Sequence, residues 1–282
     1  MVQGLNARAT RARGLGAVQG VRRLACETGA SAACAAPRRI LQGAGAAIAA
    51  ALIAVASPAW AAGPAVVVVK HGETVTIDGV RNIVMRADQA KGGILLLTGG
   101  DGRLNVTDGA QFTDGADNVL IRNCDAFAAR GYNVMLVDLG TDLAAAVGYM
   151  ARLKAPVTVI GTSKGTERLA QGLAKGARPD KVVLSSGFLS PESGPGDSVQ
   201  AILGTPSRLP PTLAIHHRED HCRWTRPAGV EPFKAWAGPK VEVAWLSGGV
   251  DDQANPCRYS GHHGFAGVDA AFVDRIMAFV AK

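Results

Sequence analysis

The stretch PVTVIGTSKGTERLA, residues 156–170, decides how the chain is read. An apolar, β-branched run from Val157 to Ile160 ends on Gly161, Ser163 stands two places further on, and Gly165 two beyond that. A helical pattern from Glu167 to Lys175 follows. With 35 glycines in the chain, a lone Gly-x-Ser-x-Gly match is a weak signal. Its setting between a strand and a helix gives it meaning. So tight a turn leaves no room for a Cβ at 161 or 165, and it lifts Ser163 at the strand's C-terminal end. The backbone N–H groups of the helix start lie behind it, where they favour a developing oxyanion. A glycine-rich connection with a capping serine fits the same fifteen residues, so the choice falls to the rest of the chain.

Working outward, strand-like and helix-like segments alternate. Ala65 to Lys70 is β-branched, and Glu73 to Arg86 resembles a hairpin turning at Asp78-Gly79. A short, fully apolar run at Gly93–Thr98 suits a buried parallel strand, Tyr132–Leu139 reads as another, and Lys181–Leu184, Thr212–His217 and Val241–Leu246 are strand-like as well. Helical spacing appears over Asn118–Arg130, stopped by Gly131, then over Leu143–Leu153 and Val268–Ala281. The alternation predicts an α/β fold: a mostly parallel central sheet with helices on both faces, forming one domain over residues 62–282. In such sheets ligands bind at the C-terminal ends of the strands, so function is sought in the loops there.

Charge and cysteines bound the remaining possibilities. The formal charge of +7 is concentrated at the start: residues 1–61 carry seven arginines, no lysine and one acid, Glu27. The rest of the chain holds 23 basic and 22 acidic side chains, which leaves no nucleic-acid footprint. Residues 1–61 read as a leader: a low-complexity region over 1–39 ending in Arg38-Arg39, an apolar region over 40–56, and Ala59-Trp60-Ala61 as a cleavage site near 61. The apolar region is short and alanine-rich for a span of roughly 20 residues. The expectation is a signal peptide, a periplasmic or secreted product and no stable membrane span after cleavage. Of five cysteines, Cys124, Cys222 and Cys257 then remain, in a compartment where disulfides form. No Cys/His zinc spacing is present, and the acids scattered from Asp101 to Asp117 do not match an EF-hand loop, so no metal is expected.

A serine nucleophile needs a base and the base an orienting acid. Asp220 lies just past the strand Thr212–His217, with Glu219 in reserve, and His262-His263 lie between the last strand and the last helix. The order Ser163, Asp220, histidine, each after a strand, resembles the α/β-hydrolase family over nearly all of residues 65–282. The likeness is to the small, cap-less, dienelactone-hydrolase-like or esterase-like members. It implies Ser163 as nucleophile and Asp220 as acid. His263, followed by Gly-Phe, is implied as base, and His262, which follows Gly261, is the alternative. Backbone N–H groups of Lys164 and Asp101, with Gly100 as the alternative to Asp101, would form the oxyanion hole; Gly99-Gly100 stands where many relatives have His-Gly. If that triad forms, the acid and base loops are neighbours, and a Cys222–Cys257 disulfide would tie them, leaving Cys124 to core packing. Between Ser185 and Pro210 only Ser198–Leu203 is helix-like, so a large cap is not expected. Trp224 and Trp236 are candidates for a pocket lining. The resemblance implies a monomeric serine hydrolase acting on a small-molecule ester or acyl substrate without a cofactor. A peptidase, an acyltransferase or a non-catalytic binding module on the same fold are the alternatives.

Overall fold

The computed structural model describes residues 65–282; the leader and its cleavage site lie outside them. Ten strands run in chain order: β1 (Val67–Val68), β2 (Gly72–Ile77), β3 (Val80–Met85), β4 (Gly93–Leu97), β5 (Gln111–Phe112), β6 (Asn133–Val137), β7 (Val157–Thr162), β8 (Lys181–Ser185), β9 (Thr212–His217) and β10 (Val241–Leu246). Seven helices are interleaved: α1 (Val119–Arg122), α2 (Cys124–Ala128), α3 (Leu143–Leu153), α4 (Gly165–Lys175), α5 (Val199–Leu203), α6 (Val230–Ala237) and α7 (Asp269–Val280).

Eight strands make one sheet in the order β10-β9-β8-β7-β4-β6-β3-β2. Every pairing from β6 to β10 is parallel, while β3 pairs antiparallel with both β6 and β2. The β2–β3 hairpin turns at Asp78 and Gly79, whose φ values of 47° and 83° give the doubly left-handed turn that matches strand twist. Side chains alternate across the sheet with the strand period of two. Ile94 and Leu96 face one core with α1, α2 and α7, whereas Leu95 and Leu97 face another with α3, α4, α5 and α6. The parallel register brings the C-terminal ends of β4, β7, β8 and β9 level, with Leu97 opposite Gly161, Thr162 opposite Ser185, and Ser185 opposite Ile215. The loops expected to carry function therefore start from one rim.

Three expectations need correction. The strand expected over residues 65–70 shrinks to Val67–Val68 and pairs with β5 in a separate two-stranded ribbon. The helix expected from Asn118 to Arg130 breaks at Asn123. Its carboxamide donates to the Val119 carbonyl at 2.8 Å and to Asp269 Oδ1 at 2.6 Å, taking the acceptor a continuous helix would use. Helix α6 was not anticipated, because its eight residues follow a proline-rich turn and contain Pro232 near the N-terminal end, where proline is tolerated. Between β8 and β9 only short 3-10 turns and the five-residue α5 occur, so no cap covers the rim. Among the described residues no helix is long and apolar enough to cross a membrane.

The elbow between β7 and α4 is sterically closed. A Cβ on Gly161 would sit 2.7 Å from the Gly165 carbonyl oxygen, and one on Gly165 would overlap the carbonyl of Leu97 on the neighbouring strand. Gly165→Ala must push α4 off the sheet and is expected to cost about 1–3 kcal/mol. At roughly 2–4 °C per kcal/mol for a domain of this size, a thermal melt should fall by several degrees; an unchanged melt contradicts this packing.

Candidate active site

Ser163 occupies the elbow with φ 51°, left-handed backbone that non-glycine residues rarely adopt. Three bonds hold it there: Ser163 N–H donates to Ser185 O at 2.9 Å, and Ser163 O accepts from Thr166 N–H at 2.9 Å and from the Thr166 hydroxyl at 2.7 Å. Its side chain is half-buried and lines a cleft of about 810 Å³ at the strand rim. The cleft wall includes Gly100, Lys164, Trp224, Tyr259 and both disulfide cysteines. Among the described residues, no backbone carbonyl accepts from the N–H of Lys164 or Gly100, which leaves two free donors beside the serine. Asp101 sits one step away in a smaller neighbouring pocket, where its carboxylate accepts from Arg103 N–H at 3.0 Å. Arg168 on α4 braces this loop through the carbonyls of Thr98 and Asp101.

The acid and one imidazole meet. Asp220, 3% exposed, follows β9; its Oδ1 accepts from Cys222 N–H at 2.9 Å and its Oδ2 accepts from His263 Nδ1–H at 3.0 Å. The same Nδ1 lies 3.2 Å from the Thr225 hydroxyl, so Nε2 is the nitrogen free for another partner. His263 is itself 2% exposed, in the 3-10 turn between β10 and α7. The Cys222–Cys257 disulfide joins the loop that carries Asp220 to the loop that carries His263, with Cα atoms 4.6 Å apart. Cys124 is a buried free thiol whose pKa burial pushes up to about 11, in keeping with core packing.

His262 is built into something else. Its ring stacks on His217 at 4.2 Å and 11°, and its Nδ1–H donates to the Glu219 carbonyl at 3.0 Å. Glu219 points its exposed carboxylate toward His217 and away from His263, with Oε2 3.8 Å from His217 Nδ1. Ligand atoms of His217, Glu219 and His262 lie within 4.8 Å of one another. Parallel stacked rings aim their lone pairs side by side, whereas a metal needs them convergent, so this trio suits hydrogen bonding better than coordination.

Tyr259 was not singled out from the sequence. Its ring stacks on His263 at 6.0 Å and 22°, and it lines the Ser163 cleft. A Cβ on Gly99 would overlap the Tyr259 hydroxyl and lie 2.8 Å from Ser163 Cβ, which places phenol and serine side by side. Burial pushes the Tyr259 pKa up to about 12, so it stays a neutral hydroxyl. No hydrogen bond joins Ser163 to either imidazole among the described residues, and His263 is not among the residues lining the cleft that Ser163 and Tyr259 share. Only the loop position of Tyr259, four residues before His263, could have marked it. Trp224 is 40% exposed in the cleft, whereas Trp236 packs in the core against Phe233.

No family model matches the chain, and no curated protein matches it. Solved structures do. A structure of the esterase Pf2001 from Pyrococcus furiosus superposes with a TM-score of 0.52 at 15% identity, over 74% of this chain and 91% of that one. An alpha-beta serine hydrolase homologue from Coxiella burnetii gives 0.51 at 14%, over 75% and 98%. The esterase RhEst1 from Rhodococcus sp. gives 0.50 at 14%, over 74% and 98%. These likenesses and the strand order together establish that the chain has the α/β-hydrolase fold.

Two predictions follow from this geometry. The disulfide closes a loop of 35 residues, for which the chain-entropy argument gives about 3–4 kcal/mol. Replacing both cysteines by serine should lower the melting temperature and bring the variant to the value of reduced wild type. His217 donates through Nε2 to Gly248 O at 2.9 Å and accepts at Nδ1 from Glu219 N–H at 3.2 Å, so its neutral form is fully bonded. Burial holds its pKa below the ordinary 6.5. The unfolded chain therefore binds more protons, and stability fully present above pH 6.5 is lost as pH falls below it and through the lowered pKa of the folded state. Melts from pH 8 to 5 should show this slope, and His217→Gln should lessen it, the buried His216, whose pKa burial also lowers, keeping a slope of the same sign.

Proposed function

We propose that the protein is an exported serine hydrolase that cleaves an ester-type acyl bond through an acyl-enzyme intermediate. The observation that carries this reading is the buried His263–Asp220 pair, tied by a disulfide into the wall of the cleft that Ser163 lines. A strained serine at a strand-to-helix elbow and a carboxylate-oriented imidazole each have structural uses alone. Carried by loops that follow strands of one sheet, in the chain order of this fold, they are the pieces acyl transfer needs. The esterase and serine hydrolase named for similar structures support the same class. Export is supported by the leader's sequence and by a disulfide suited to an oxidising compartment.

In this mechanism Ser163 Oγ attacks the acyl carbon while His263 Nε2 takes its proton. The carbonyl π pair moves onto oxygen, where the N–H groups of Lys164 and of Gly100 or Asp101 bind the oxyanion. The C–O bond to the leaving alcohol then breaks and His263 returns the proton to it. Water repeats the sequence on the acyl-enzyme and restores Ser163. Asp220 keeps the proton on Nδ1 and stabilises the imidazolium. Tyr259, beside the serine and against the imidazole, holds the ring that must reach Oγ.

A fluorophosphonate should label the oxidised protein at Ser163, and Ser163→Ala should abolish the labelling. Asp220→Asn leaves the packing intact and should lower kcat on a short-chain chromogenic ester by about 10⁴. His263→Ala should do likewise, while His262→Ala retains most activity. Absence of labelling in folded protein would overturn the reading.

A further inference from the structure

One cleft residue has no part in that mechanism. Glu167 lies in the first turn of α4, four residues after Ser163, and it lines the same cleft. It is 8% exposed. Among the described residues, no hydrogen bond or ion pair reaches its carboxylate. Its oxygens open onto the water of the cleft while the rest of the side chain is enclosed, so the carboxylate keeps only part of its hydration. The nearest cation by charge effect is Lys164, which stays solvent-exposed and beyond ion-pair distance. Asp197, on the facing loop, adds a second negative charge, and burial with Asp197 pushes the Glu167 carboxyl up against the pull of Lys164 and Arg168. The loop opposite is closed down on it: a Cβ on Gly196 would lie 3.4 Å from Glu167 Oε1 and 3.1 Å from the Phe188 ring. Phe188 and Trp224 supply aromatic surface in the same cleft.

The other charges of the cleft are differently placed. Lys164, Arg223 and Arg258 are exposed at the rim, where water satisfies them, and Arg223 lies 4.8 Å over the Trp224 ring. Among the charged side chains of the cleft Glu167 alone is buried as a residue, and its oxygens open onto the cleft.

We propose that Glu167 is the specificity-determining residue of the cleft and that it binds an ammonium group bearing an N–H, carried by the ester substrate. The inference rests on the hydrolase reading for its substrate but not for its binding site. An ammonium N–H donates to the carboxylate, replaces the water lost on burial, and meets aromatic faces that attract cations. The carboxylate makes no covalent step and acts on KM more than on kcat.

The test uses two isosteric ester pairs that differ only in charge. One is 2-(dimethylamino)ethyl butyrate against 3-methylbutyl butyrate, with the cation on the alcohol side. The other is ethyl 4-(dimethylamino)butanoate against ethyl 5-methylhexanoate, with the cation on the acyl side. At pH 7 wild type should prefer at least one cationic ester by about tenfold or more in kcat/KM. Glu167→Gln should remove that preference, chiefly by raising KM, and change the neutral partner less than about threefold; Glu167→Asp should keep part of it. A purely structural Glu167 would shift both members of a pair equally, and that result, or no cationic preference in wild type, overturns the proposal. If no ester is turned over the hydrolase reading fails, and Glu167 is judged by binding. Tryptophan fluorescence titrated with ethyl 4-(dimethylamino)butanoate should then give a Kd about tenfold weaker in Glu167→Gln, and an unchanged Kd overturns the assignment.

Discussion

Between the end of β7 and the start of α4 the backbone has no space for a Cβ. The packing of Gly161 against Gly165, and of Gly165 against the Leu97 carbonyl, sets the closest approach of helix to sheet. Everything at the rim follows from that contact. The chain turns from strand to helix within three residues only if Ser163 takes left-handed backbone, a state that costs of order 1–3 kcal/mol and persists because its neighbours impose it. Hydrogen bonds from Ser163 to Ser185, and from Thr166 back to Ser163, hold the turn while leaving the hydroxyl at the cleft. The same close approach brings the loop after β4 beside the serine, so Gly99 can have no side chain either.

The opposite wall is organised by a covalent constraint. The loops after β9 and β10 carry few apolar anchors near the rim, and residues 247–261 form turns with largely exposed side chains. The Cys222–Cys257 bond fixes one to the other two residues after Asp220 and six before His263. Asp220 is further held by Cys222 N–H, so the residue that makes the disulfide also orients the carboxylate. Helix α7 contributes from beneath: Arg122 of α1 binds Asp269 at 2.7 Å and the Gly264 carbonyl at 2.6 Å, anchoring the turn that presents His263.

Much of this was legible in sequence wherever local pattern and global role coincide. Strands β4 and β7 to β9 are buried runs with turn signals at both ends, and the glycines at 161 and 165 carry their steric reason in their spacing. The pairing of Cys222 with Cys257 was legible only through the triad order, since the spacing of two cysteines does not fix a bridge. What stayed hidden depends on partners distant in sequence. Asn123 breaks a helix by binding Val119 and Asp269, and no local propensity shows that. His262 and His263 look alike as neighbours; the half-turn between them sends one to Asp220 and the other to His217 and the Glu219 backbone. Tyr259 and Glu167 were invisible because a tyrosine in a loop and a glutamate in a first helical turn are ordinary there.

That last case bears on how such a cleft selects its substrate. Acyl-transfer machinery is common to many chemistries, so selectivity has to come from groups that the reaction does not consume. Exposed charges at a rim contribute little, because water competes with any ligand for them. A carboxylate on an otherwise buried side chain is different: an apolar ligand that displaces the cleft's water from it leaves the charge unpaired, while a ligand with a matching donor removes that cost. On the proposed reading, the helix whose start would supply the oxyanion N–H at Lys164 also carries Glu167 in its first turn. The elbow would then tie the attacking hydroxyl and the selecting charge to one rigid element, and a change in the pitch of α4 would disturb both together.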